Sequence, residues 1–313
     1  MIQEDSERLT YSIIGTGALG GTYGIKLANA GSTVHFLAHN DYFYIKENGL
    51  RLDSVDGNIH LKDVLVFKES IDLPRSDVVC ICLKTTQNMQ LEAMLKPLVR
   101  QDTVLLTLQN GLGIEEELQS MFPQAIVAGG LCYLGANKVG KGHIRHEALG
   151  QIVLGVLHPE RDSTAAMRII ADLKRAGIAI EFAEDLIKER WKKLMWNIPF
   201  NGFSVILNSA TDKIIMNSGM KQLCRELMQE LIVGAGACGY RIENEYADEL
   251  IRLTEKLVPY KTSMMMDFKN KRHMEIQYMF RIPLKKVKER GVLMEKVQLL
   301  EAILSFIDTS MVD

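Results

Sequence analysis

The sequence predicts an α/β fold in two parts, a doubly wound parallel sheet followed by an all-helical domain. Three observations carry this prediction. Short apolar runs alternate with helical stretches through the first half, the pattern of strands joined by crossover helices. A glycine cluster stands between the first strand and the first helix. Beyond about Asp185 the apolar residues keep helical period alone, with few strand signals.

The elements follow in order. Thr10–Ile14 reads as a strand, and Ala18–Ala30 as a helix that ends at Gly31, a natural C-terminal cap. Thr33–Leu37 alternates as a second strand. Asp77–Leu83 is an unbroken apolar run, as in a strand buried on both faces; Cys80 and Cys82 share one face of it and read as core filling. Thr103–Leu108 and the shorter Ala125–Ala128 follow. The stretches around Gly142–Leu157 and Ile178–Phe182 read as later strands, antiparallel or at an edge. Helices are expected over Trp191–Leu207, Met220–Cys238, Tyr246–Val258, Met264–Tyr278 and Met294–Ile307. Met264-Met265-Met266 reads as core rather than a metal site, and Lys285, Lys286 and Lys288 as a solvated helix face. The expected boundaries are a polar tail over 1–8, a first domain over 9–184 and a helical domain over 185–313.

Bulk properties narrow the function. The 313 residues carry a formal net charge of −2, which gives no global field to gather nucleic acid or an acidic membrane. Five cysteines, odd in number and without a CxxC pair, argue against a disulfide framework or a zinc site. No stretch shows the ligand spacing of a metal centre. The polar, acidic N-terminus resembles neither a secretory nor a mitochondrial leader, and no apolar stretch is long enough to span a bilayer. A cytoplasmic protein is the expectation.

Gly15-Thr16-Gly17-Ala18-Leu19-Gly20 follows a strand and opens a helix. In that setting GxGxxG is a dinucleotide fingerprint, and the first domain reads as Rossmann-type. The first glycine permits the tight turn, the second lets backbone approach a pyrophosphate, and the third lets helix and strand pack closely. The helix N-terminus adds free N–H groups and the positive end of its dipole. An NAD site usually closes its second strand with Asp or Glu. Here Phe36-Leu37-Ala38-His39-Asn40 stands there, and Asp41 comes slightly late. Without that acid a 2′-phosphate is not repelled, and His39 and Asn40 offer donors to it, so NADP(H) is the expected cofactor.

Further motifs line up in order: Leu83-Lys84-Thr85-Thr86-Gln87, Gln109-Asn110-Gly111-Leu112-Gly113, 129–136 (GGLCYLGA), 190–201 (RWKKLMWNIPFN), Ser263-Met264-Met265-Met266-Asp267 and Arg272-His273-Met274-Glu275-Ile276. With the glycine loop, this series resembles the ketopantoate reductase (2-dehydropantoate 2-reductase) family over nearly the whole chain from about Thr10. The resemblance implies NADPH-dependent reduction of ketopantoate to pantoate. It implies Lys193 as general acid, and Asn197, Asn201 and Ser263 as substrate-binding residues, Ser263 holding the carboxylate. It places Asn110 at the nicotinamide ribose and substrate, Lys84 and Glu275 near the cofactor, and Ala136 at a backbone contact to NADP. Where many members carry an arginine that reads the 2′-phosphate, this chain has His39. Gly291-Val292-Leu293-Met294-Glu295 replaces a proline-containing segment, and Arg281 and Ile282 stand where small residues are common.

The residues bear the resemblance out on physical grounds. Lys84 and Asn110 follow the C-terminal ends of predicted parallel strands, where open α/β sheets bind ligands. Lys193, Asn197 and Asn201, spaced i, i+4, i+8, form one polar stripe on a helix. Hydride transfer to a ketone leaves an alkoxide, which a nearby ammonium stabilises and protonates. Plainer roles stand beside these: Lys193 on the surface, Lys84 as a solvated loop charge, Ser263 as a helix cap, Glu275 paired with Arg272 or Lys271 on a helix surface, and His273 structural. A small 2-oxo acid is the expected partner. Alternatives are a paralogous reductase of another branched 2-oxo acid and a non-catalytic NADPH-binding regulator. Oligomeric state is not legible, although a helical second domain often supplies a homodimer interface.

Overall fold

A computed structural model of the chain describes residues 8–257 and 259–310. They form two compact units, residues 8–109 with 114–186 and residues 110–113 with 187–310. The anticipated tail at 1–8 lies outside the described residues except for Arg8, whose guanidinium donates to Ala30 O at 2.6 Å.

The first unit is built on one mixed sheet. In chain order its strands are β1 (Tyr11–Ile14), β2 (Val34–Leu37), β3 (Leu50–Ser54), β4 (Ile59–Leu61), β5 (Leu65–Phe67), β6 (Val78–Ile81), β7 (Val104–Thr107), β8 (Ile126–Gly140), β9 (His143–Val156) and β10 (Ile180–Phe182). The order β5-β2-β1-β6-β7-β8 is parallel throughout. Every residue of β1, β2, β6 and β7 is buried, as helices on both faces of a parallel sheet demand. Chain direction reverses at β9, antiparallel to β8; β3 and β10 then add in parallel to β9, and β4 closes that end antiparallel to β3. The strand expected at Ala125–Ala128 is only the start of β8, which runs on to Gly140. Its register against β9 shifts at three places, and such bulges let a long hairpin bend.

Helix α1 (Ala18–Asn29) contacts β1 and β2 and also β3, β4, β8 and β9, so the sheet curls around it as a half-barrel. Glycines make the approach possible. An added Cβ at Gly21 would lie 2.6 Å from Ile144, and one at Gly24 2.6 Å from Phe36. Helices α2 (Tyr42–Asn48), α3 (Leu91–Leu95), α4 (Ile114–Met121) and α5 (Pro159–Arg175) complete this unit.

The second unit is helical: α6 (Leu186–Ile206), α7 (Thr211–Met216), α8 (Ser218–Ala237), α9 (Glu245–Glu255), α10 (Ser263–Lys269), α11 (Ile282–Lys288) and α12 (Glu295–Ser310). Among the described residues no strand follows β10, and no helix is long and apolar enough to cross a membrane. The core joins Trp191, Leu194, Ile198 and Phe200 of α6 to Leu227 and Leu231 of α8 and to Met264, Met265 and Met279. The single helix expected over Met264–Tyr278 is broken. α10 stops at Lys269, Lys271 takes φ +50°, and Asp267 accepts from Arg272 Nε and Nη2 at 3.0 and 2.9 Å across the turn. The chain resumes as a π-helical turn, Gln277–Arg281, leading into α11.

Candidate functional site

The glycine loop joins β1 to α1 between the C-terminal ends of β2 and β6. Gly15 has φ +100°, and an added Cβ there would lie 2.8 Å from the Leu83 side chain. Gly20 allows closer contact still, since its Cβ would fall 2.2 Å from Gly15 O and 2.7 Å from Ile13 Cγ2. At Gly17, the N-cap of α1, a Cβ would meet nothing within 4 Å. Gly17 provides no capping side chain and no acid occupies the first turn, so the positive helix end carries no anion of its own. Thr16 Oγ1 donates to Leu37 O at 3.0 Å and fixes the loop against the end of β2. A cradle of backbone N–H groups with open space over the middle glycine fits a dinucleotide pyrophosphate.

At the end of β2, His39 and Asn40 are exposed, and His39 Nδ1 lies 3.1 Å from Asn40 Oδ1. Asp41 is turned away from solvent. Its Oδ2 accepts from Gly142 N at 2.9 Å and pairs with Lys138 Nζ at 2.6 Å. Lys68 follows β5 beside the same strand end, because Phe67 O accepts the Ala38 N–H at 3.0 Å.

The ends of β6 and β7 are tied together. Gln109 is buried, and its amide nitrogen donates to Leu83 O at 2.9 Å and to Asn88 Oδ1 at 2.7 Å. Lys84, half-buried, leads out of β6 just past that bond. The sequence does not mark Gln109 and Asn88 as a tether, because a buried amide pair leaves no periodic signal. Ala136 is half-buried in β8, at the step where its partner changes from Ala148 to His146.

Residues 110–113 leave β7 and belong to the second unit. Leu112 N donates to Tyr278 O at 2.9 Å, and a Cβ on Gly111 (φ +115°) would lie 2.6–2.8 Å from Tyr278 atoms. Gly111 therefore lets the segment after Asn110 dock on the π-helical turn, which starts two residues after Glu275. Glu275 is 4% exposed, not on a helix surface, and Arg272 engages Asp267 instead.

On α6, Lys193, Asn197 and Asn201 are 8, 6 and 2% exposed. One face thus holds an ammonium and two amides at steps of roughly 6 Å. The neighbouring Lys192 is differently placed: it pairs with Glu189 at 2.6 Å and lies 5.5 Å above the Tyr246 ring. Asn201 Oδ1 accepts from Met264 N at 3.3 Å, which seats the start of α10 beside the stripe. Thr262 is the cap of α10; its hydroxyl accepts from Met265 N at 3.2 Å and lies 2.6 Å from Ser204 Oγ. Ser263 is therefore not the capping residue. His273 is exposed and pairs with Asp308 at 3.0 Å, a structural position. Tertiary placement thus brings Lys193, Asn197, Asn201 and Ser263 together in one unit, and the glycine loop, His39, Lys84 and Ala136 lie in the other.

A family model described as "Ketopantoate reductase PanE/ApbA" matches residues 11–159, and its C-terminal counterpart matches residues 185–308. A 2-dehydropantoate 2-reductase of Nostoc sp. is 43% identical over 302 residues, 95% of each chain. The crystal structure of 2-dehydropantoate 2-reductase from Geobacter metallireducens superposes with a TM-score of 0.91 at 36% identity, over 95% of this chain and 99% of that one. A dimeric ketopantoate reductase from Staphylococcus aureus shares the fold, with a TM-score of 0.83 at 20% identity over 97% of this chain and 100% of that one.

Proposed function

The chain belongs to the ketopantoate reductase family, and from that premise we propose that it is an NADPH-dependent 2-dehydropantoate 2-reductase, making pantoate for pantothenate and coenzyme A synthesis. The observation that carries the site assignment is the buried polar stripe of α6. An ammonium and two amides on one buried face bring together the charge and the neutral donors that a small oxo acid needs at its ketone oxygen and its polar groups.

NADPH, when bound, supplies the hydride to the ketone carbon. The rest of the chemistry falls to side chains. As hydride arrives, charge grows on the ketone oxygen; the Lys193 ammonium stabilises it and gives up a proton to form the hydroxyl. Lys193 is then reprotonated from solvent. Asn197 and Asn201 hold the substrate's polar groups, and the Ser263 hydroxyl, which does not cap α10, donates to the carboxylate. Asn110 bridges substrate and nicotinamide ribose, with Lys84, Glu275 and the Ala136 backbone at the cofactor. Gly15, Thr16, Gly17, Ala18, Leu19 and Gly20 take the pyrophosphate, and His39 faces the 2′-phosphate. On this reading residues 9–184 form the NADP domain and 185–313 the substrate and dimerisation domain of a cytoplasmic homodimer. Light scattering at micromolar concentration tests the dimer.

Lys193→Ala should lower kcat by about 10²–10⁴-fold with NADPH binding intact. Lys192→Ala should change kcat little, because its charge is already met by Glu189. The wild-type rate should fall on the alkaline side, since the protonated lysine is the active form. A near-normal kcat for Lys193→Ala, or a loss only for Lys192→Ala, would assign the acid to the wrong residue.

A further inference from the structure

The end of β2 holds a specificity device that rests on the cofactor reading above. In a dinucleotide-binding sheet an acid closing the second strand accepts from the ribose 2′-OH and repels a 2′-phosphate. This chain does carry an acid near that end, Asp41, two residues beyond His39. Its carboxylate is nevertheless committed elsewhere. Asp41 is 6% exposed, and one oxygen takes both the Lys138 ammonium at 2.6 Å and the Gly142 N–H at 2.9 Å. Lys138 stands near the end of β8, and Gly142 lies in the turn to β9. The hairpin thus engages the carboxylate, and the ion pair offsets part of its charge.

We propose that Lys138 sets the preference for NADPH by holding Asp41 out of the 2′-phosphate site. With the pair closed, the phosphate meets the exposed groups of His39 and Asn40, with Lys68 beside them, and no free carboxylate. With Lys138 removed, Asp41 keeps its negative charge near the strand end, held by the Gly142 N–H alone, and its second oxygen can accept from a ribose 2′-OH. Lys138 then acts through Asp41, without needing to touch the cofactor. Two other roles make different demands. A clamp that merely stiffens the hairpin would affect both dinucleotides alike. A lysine that binds the phosphate directly would be missed whether or not Asp41 is charged.

Fluorescence titration of purified protein with NADPH and with NADH separates these cases without any oxo acid. Lys138→Met should weaken NADPH binding by about two- to fivefold, the range of a partly exposed charge pair, and leave NADH binding unchanged or tighter. Adding Asp41→Asn should return NADPH affinity to the wild-type value. Lys138→Arg, which retains the pair, should retain the preference and keeps the test open if Lys138→Met folds poorly. Equal weakening of both cofactors, or a double variant that stays weak for NADPH, would overturn the proposal. Failure of the wild-type chain to bind either dinucleotide would instead overturn the cofactor reading beneath it.

Discussion

Gly17 and Gly20, three positions apart in the loop, should fail in opposite ways when each becomes alanine. At Gly20 the new Cβ would sit 2.2 Å from Gly15 O and 2.7 Å from Ile13 Cγ2. Neither neighbour can yield easily. Gly15 is held at φ +100° with Leu83 crowding its other side, and Ile13 lies within the fully buried β1. Relief requires α1 to lift from the sheet it is wrapped in. Overpacking of this kind costs roughly 1–3 kcal/mol, and the helix propensity of alanine returns at most about 1 kcal/mol. A contact as short as 2.2 Å places the overpacking at the upper end of that range, so the net cost is about 2 kcal/mol and Tm of this unit should fall by about 4–8 °C. At Gly17 the Cβ meets nothing within 4 Å and φ is −93°, a conformation alanine adopts freely. Loss of glycine as cap and the reduced entropy of the unfolded chain offset each other to within about 1 kcal/mol. The same methyl projects where the pyrophosphate must approach, so NADPH affinity should drop by about tenfold or more. Thermal denaturation followed by circular dichroism and NADPH fluorescence titration read the two effects separately. A Gly20→Ala protein as stable as wild type, or a Gly17→Ala protein that binds NADPH normally, would refute the packing and cradle roles respectively.

Other expectations concern the second unit and the base of the sheet. Ser263→Ala and Asn201→Ala should raise KM for the oxo acid, each lost hydrogen bond to a charged group being worth roughly 1.5–3 kcal/mol, while NADPH affinity stays the same; loss of NADPH binding in either would remove these residues from the substrate pocket. Asn201→Ala should also lower stability slightly, because Met264 N loses its acceptor. Asp172 is 2% exposed and accepts from Leu9 N at 3.1 Å and Tyr11 Oη at 2.8 Å. Burial, with the Asp172 carboxylate second, holds the Tyr11 phenol protonated well above its ordinary range. Asp172→Ala leaves both donors unsatisfied and should cost about 2–4 kcal/mol in a denaturant melt; an unchanged midpoint would contradict the network.

How much of this was legible depended on burial. β1, β2, β6 and β7 stand out because burial on both faces leaves continuous apolar runs. The three strands β3, β4 and β5 leave no such run. They are 5, 3 and 3 residues long and partly exposed, so sheet pairing rather than local pattern defines them. The break after α10 was hidden for a different reason. Met264–Tyr278 keeps helical spacing, but the Asp267–Arg272 pair and the positive φ of Lys271 reverse the chain, and no periodicity encodes such a turn. The stripe on α6 was readable because a helix converts i, i+4, i+8 into one face. Its burial was not, since that depends on the helices packed around it. The same limit applies to the cap: Thr262 and Ser263 are chemically alike in sequence, and only the bond from Met265 N distinguishes them. The latch on Asp41 joins it to Lys138, far along the chain near the end of β8, a pairing that sequence spacing does not announce.

The most direct test of the central assignment is steady-state oxidation of NADPH by the purified protein against a panel of 2-oxo acids that includes 2-dehydropantoate, with pantoate identified as the product. We expect 2-dehydropantoate to give the highest kcat/KM, with kcat lowered about 10²–10⁴-fold in the Lys193→Ala variant; a larger kcat/KM for a different branched 2-oxo acid, or no NADPH oxidation with any of them, would contradict it.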